Sequence, residues 1–174
     1  MNNFKKYKKS IIHIWKLLKK KFKRSYGYDV DHLKLKFSEQ AYDSHGDPTD
    51  DNKHGGSWTE QGIIYIDPNY PKVWKDLHAP LDDSKDTVLY WYATVMGHEL
   101  AHEIYHNVWS KSEKKEVEME ARHSSSFHSY YLDYLIMIKK PDIEEFREEL
   151  IVDYFGWIVA MHILNELGID AYEI

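Results

Sequence analysis

The chain contains no cysteine among its 174 residues. That absence excludes thiolate metal sites, disulfide frameworks and thiol nucleophiles, leaving histidine and carboxylates as the only strong metal ligands, and it fits a reducing compartment. Long uncharged runs are also missing: no stretch approaches the roughly 20 apolar residues of a membrane-spanning helix. The N-terminus lacks the basic, apolar and small-residue order of a secretory signal, so a cytoplasmic location is the expectation. Acidic residues, finally, are absent from residues 1–24, although the chain as a whole carries a net charge of -6.

What fills that first stretch is lysine, interleaved with Phe4, Tyr7, Ile11, Ile14, Trp15, Leu18 and Phe22 at helical spacing. Residues 1–24 therefore read as a basic amphipathic helix. Contact with nucleic acid or an anionic membrane is one use of such a helix. Docking of the apolar stripe on the core, with solvated lysines outside, is the favoured one. With 43% hydrophobic and 15% aromatic residues, the chain can bury one sizeable core, and residues 1–174 are expected to form a single domain.

Leu33-Lys34-Leu35-Lys36-Phe37 alternates with period two, as a strand with one buried face requires. Tyr42 to Gly56 reads as a loop rich in Asp, Gly and Pro; its acids lack the spacing of a calcium loop. Ser57-Trp58-Thr59 and Gly62 to Asp67 read as two further strands, giving a small antiparallel sheet. A short helix around Val73 to His78 is expected next. Asp82, Asp83 and Ser84 are candidate caps for a long helix running to about Asn107–Ser110. Helical patterns follow over Lys111–Arg122, Phe127–Ile138 and Ile143–Leu167, the last closed by Gly168. The expected class is α+β, with the sheet on a central helix and a helical C-terminal half.

That central helix contains His98-Glu99-Leu100-Ala101-His102. Residues four apart share a helix face, so His98 and His102 can aim their imidazoles at one point with Glu99 beside it. Neutral imidazoles bind Zn²⁺, a third protein ligand completes the anchoring, and the metal lowers the pKa of a water whose proton Glu99 can take. The motif is short enough to arise by chance. Its setting argues against chance, because Thr87 to Met96 leads into it without Gly or Pro, and a buried helix rarely carries such groups unpartnered.

A third ligand is expected on the last helix. Glu149 and Asp153 lie four apart there, and Asp153 sits in an otherwise apolar run where a lone carboxylate would be costly. Glu149 is the expected ligand, with Glu148 as the alternative if the helix register is shifted by one residue. Asp153 can accept the free N–H of a metal-bound histidine and fix its tautomer. His106 shares the face of the pair and reads as supporting or structural. Tyr131, Tyr134, His123 and His128 lie between the two helices and are candidates for stabilising an oxyanion or for an alternative ligand.

These two helical motifs, with Gly62 to Asp67 ahead of them, resemble the gluzincin metallopeptidases and most closely the small ImmA/IrrE-like group. Val152 and Gly156 stand where that group carries small alanines. The resemblance implies a zincin-like fold and one zinc ion per chain, held by His98, His102 and Glu149. It implies an endopeptidase in which Glu99 is the general base and the substrate is a protein or peptide. An extended substrate would lie antiparallel to an edge strand near Ile63 to Ile66. Metzincins are excluded, since Tyr105 and Val108 occupy the positions where they need Gly and His. Two alternatives remain. His123-Ser124-Ser125-Ser126-Phe127 is similar to the segment that supplies the third ligand in SprT-like and YgjP-like proteins. The same fold could also serve a regulatory binding protein without hydrolysis.

Overall fold

The computed structural model describes residues 3–50, 55–69, 84–124 and 143–169. The expected helices at Val73–His78 and Phe127–Ile138, with His128, Tyr131 and Tyr134, lie outside the described residues.

Helix α1, Asn3–Tyr26, buries Phe4, Ile11, Ile14, Trp15, Leu18 and Phe22. Its apolar stripe is thus consumed by the core, each fully buried side chain contributing about 1.5–3 kcal/mol relative to exposure. Helix α2, Lys85–Asn107, starts at Ser84, whose side chain accepts the Thr87 N–H, and is buried on nearly every side. Helix α3, Lys111–His123, opens with a capping box: Glu113 N–H donates to the Ser110 hydroxyl and Ser110 N–H donates to the Glu113 carboxylate. Helix α4, Ile143–Glu166, ends where Gly168 takes a φ of 70°. There Gly168 N–H reaches the Asn165 carbonyl and Ile169 N–H the Leu164 carbonyl, closing the helix in a Schellman motif. Among the described residues no helix is long and apolar enough to cross a membrane.

Strands β1 (Lys34–Phe37), β4 (Gly56–Thr59) and β5 (Ile63–Ile66) form a sheet in the order β1-β5-β4. Two expectations are corrected here. The sheet is mixed, because β1 pairs with β5 in parallel while β4 pairs with it antiparallel. Alternation of apolar residues assigns a strand and its buried face, but not its direction. Ile63–Ile66 is also the central strand, hydrogen-bonded on both sides, and offers no edge to a substrate. Among the described residues the outer strands are β1 and β4, with the Tyr42 N–H donating to the Ser57 hydroxyl of β4. A short ribbon of β2 (Ala41–Tyr42) and β3 (Pro48–Thr49) interrupts the expected loop. The Asp43 carboxylate, accepting the N–H groups of His45 and Asp47, and Gly46 at φ 86° shape its turn.

The mixed α+β architecture centres on α2, with α1 and α4 against it and β4 and β5 covering another side. The closest approach is between α2 and α4. An added Cβ at Gly97 would stand 2.5 Å from the Gly156 carbonyl oxygen, and one at Gly156 would stand 2.6 Å from the His98 nitrogen. Two bare backbones meet at this crossing, which explains why Gly156 cannot be even an alanine without movement.

Candidate metal centre

The crossing brings one face of α4 onto the histidine face of α2, next to the outer strand β4. His98 Nε2 and His102 Nε2 stand 3.1 Å apart. The Glu149 carboxylate approaches them at 3.2 Å and 3.4 Å. The other ring nitrogen of each histidine is engaged: His98 Nδ1–H donates to Asp153 at 2.8 Å, and His102 Nδ1–H donates to Glu148 at 2.8 Å. An ionised carboxylate only accepts, so these bonds place a proton on Nδ1 and leave the Nε2 lone pairs facing each other.

Three acceptors aimed at one point repel unless a cation lies between them. Protons can serve: burial alone would lower His98, but the Glu149 charge and the Asp153 and Glu149 hydrogen bonds hold it well above its ordinary value. His102 is raised against the same burial by Glu149 and Glu148. A metal ion can also serve, and the spacing fits one. A tetrahedral ion with bonds of about 2.0–2.1 Å holds its ligand atoms about 3.3 Å apart, which is the separation found among His98, His102 and Glu149. These three residues can hold a metal ion.

His102, His106 and Glu148 also lie close enough to form such a group. There, however, both imidazoles bond the same Glu148 oxygen, at 2.8 Å and 2.6 Å. Those are hydrogen-bond lengths rather than the edges of a coordination polyhedron, so this cluster is a supporting network. Burial pushes the Glu148 carboxyl up, but the two imidazoles outweigh it and bring it to about 2.

Glu99 is 3% exposed, on the side of α2 that faces β4. Its pKa is raised, chiefly by burial, against the pull of the two histidines and a hydrogen bond from the Trp58 main-chain N–H. Gly56 leaves room for it: a Cβ there would stand 2.9 Å from Glu99 Oε1. A carboxylate with increased proton affinity beside a metal position is chemically equipped to act as a base.

The arrangement therefore gathers His98, Glu99, His102, Glu149 and Asp153. His123 does not join them; it is exposed and lines a surface hollow with Glu116, Met119, Glu120, Ser124 and Tyr154. Sequence reasoning missed the Glu148 bond to His102. It also missed Glu103, which is 6% exposed and accepts from the Trp58 indole N–H at 2.8 Å. His32 stands 3.0 Å from the other Glu103 oxygen. The signal was available, since Glu103 is a carboxylate on an apolar helix, the same anomaly that singled out Asp153. Trp58 also stacks on His106, with centroids 4.7 Å apart and planes at 6°.

No family model, curated protein or solved structure matches this chain.

Proposed function

We propose that the protein is a zinc-dependent endopeptidase of the gluzincin type, similar to the ImmA/IrrE-like group. The observation that carries this reading is the convergence of His98 Nε2, His102 Nε2 and the Glu149 carboxylate at 3.1 to 3.4 Å, with buried Glu99 alongside. His98, His102 and Glu149 would hold zinc, while Asp153 and Glu148 keep both imidazoles in the tautomer that presents Nε2. Zinc, when bound, supplies a Lewis acid for the scissile carbonyl and acidifies the attacking water. Glu99 takes the proton from that water and passes it to the departing amine. Gly56 of β4 packs against Glu99, so an extended peptide would approach the centre from the side of Gly56–Thr59 rather than along the central strand.

Zinc content of protein purified without added metal, with and without later zinc titration, tests the reading. About one zinc per chain is expected in the wild type, lost in Glu149→Ala and kept in His123→Ala. With the site established, hydrolysis of a mixed peptide library, absent in Glu99→Gln, tests the activity. A wild type that takes up no zinc, or one that loses it only in His123→Ala, would overturn the proposal.

A further inference from the structure

The outer face of α1 is almost wholly cationic. Its exposed residues are Lys5, Lys6, Lys8, Lys9, His13, Lys16, Lys20, Lys23, Arg24 and Ser25, so every one except His13 and Ser25 is a fixed cation. The first turn of α1 has no acid, whereas α2 has Asp86 and α3 has Glu113 there. Four lysines in the first two turns oppose the helix dipole. Lys5–Lys9, Lys16–Lys20 and Lys20–Arg24 are like-charge pairs four apart, a spacing that destabilises a helix. Ion pairs on this helix involve only Lys21 and Lys23 among the described residues. Solvation alone does not call for such a face on a chain of net charge -6. Lys6 lies over the Tyr7 ring at 4.9 Å and Lys8 over the Phe4 ring at 5.7 Å, but these contacts leave Lys5, Lys9, Lys16 and Lys20 unaccounted for, and a local cost so little offset points to a binding role.

We propose that this face of α1 is a docking surface for the phosphate backbone of double-stranded nucleic acid. The cations from Lys5 to Arg24 run along about 28 Å of one helix, and a duplex presents a negative charge about every 1.7 Å of its axis. Lys16, Lys19, Lys20, Lys23 and Arg24 line one open hollow, with Asp31 its sole acid. An anionic membrane fits less well. The apolar stripe of α1 is buried in the core, and the exposed large hydrophobics among the described residues, Val108, Met119 and Leu167, all lie outside α1. No exposed aromatic on the face offers a stacking platform for a single strand, and backbone contact carries no sequence preference. This inference is independent of the metal centre.

The test uses the full chain and a fluorescein-labelled mixed-sequence DNA duplex of about 30 base pairs at about 50 mM salt. Vesicles containing phosphatidylserine form the parallel arm. We expect duplex binding whose log K falls with log salt at a slope of about -0.9 for each phosphate contacted. The triple reversal Lys9→Glu/Lys16→Glu/Lys20→Glu should weaken binding at least about tenfold and flatten the slope by about 3. The triple change to Gln should act in the same direction and provides the reading if the reversal fails to fold; unchanged circular dichroism and thermal melting show that the rest of the molecule is intact. Absence of duplex binding, equal binding by the triple variants, or binding to vesicles alone would overturn the proposal.

Discussion

Replacing Gly97 by alanine tests whether the helix crossing sets the metal geometry. The new methyl would meet the Gly156 carbonyl oxygen at 2.5 Å, where ordinary contact begins at 3.4 Å. The obstacle is backbone, so no side-chain rotation relieves it, and the helices must part by about 0.9 Å. Alanine also raises helix propensity by about 1 kcal/mol over glycine, which offsets part of an overpacking cost of about 1–3 kcal/mol. The net loss of stability is therefore only about 0–2 kcal/mol. Metal affinity should respond far more. His98 follows Gly97 directly, while Glu149 and Asp153 are carried by the opposing helix, and parting them opens the 3.2 and 3.4 Å gaps to about 4 Å. Zinc affinity should fall about 10- to 100-fold, the range seen when outer supports of a metal site are lost. Competition with a chromophoric chelator measures it, beside thermal melts of the metal-free protein. Gly156→Ala should act alike, and the double variant should cost less than the sum, because the helices part once. A Gly97→Ala protein that binds zinc as tightly as the wild type would refute the reasoning.

Glu148→Gln weakens the hold on His102 and should lower zinc affinity about 10- to 100-fold without removing the site; an unchanged affinity would show that the bond to His102 does not matter. Trp58→Phe keeps most of the ring but leaves one oxygen of buried Glu103 without its donor, and should cost about 1–3 kcal/mol in denaturant melts; a cost below about 0.5 kcal/mol would count against the bond. In the metal-free protein the raised pKa values of His98 and His102 set the pH dependence. Groups raised on folding stabilise fully below their ordinary value of 6.5 and lose that contribution as pH climbs through the elevated one. The metal-free melting temperature should fall above pH 6.5, and the rise on adding zinc should grow; a flat metal-free profile would refute the assignment.

How much was legible in the sequence follows the range of the interactions. Spacing of four on a helix is a local geometric fact, so the pairing of His98 with His102 and of Glu149 with Asp153 could be read directly. The α1 stripe was equally open, because a 3.6-residue period states which face is buried. Strand direction was not, since β1 meets β5 through a chain path that includes a ribbon and another strand. Nor was the link from Trp58 to Glu103 and His32, where partners lie 45 and 71 residues apart. Glu148 and Glu149 illustrate the limit well. Adjacent helix positions differ by about 100° in direction, so sequence treated them as competitors for one task. In the folded chain Glu149 faces the Nε2 atoms of both histidines while Glu148 reaches His102 from its other side.

This division of labour has a consequence for folding. Glu148, Glu149 and Asp153 all come from the part of α4 that meets α2, with Glu144 four residues before Glu148 and Asp153 four after Glu149, and like charges at that spacing weaken an isolated helix. The compensating charge comes from α2, either as protonated imidazoles or as a metal ion held with them. The N-terminal half of α4 is therefore stabilised by the very contacts that build the centre, and the Gly97–Gly156 approach puts those contacts in register. Docking of α4 on α2, the tautomers of both histidines and the closure of the ligand set are thus one structural event. The binding energy of a metal held there would act as folding energy for this pair of helices. Hydrogen exchange across residues 143–156 should slow on metal addition more than exchange in α1, whose packing does not involve the centre.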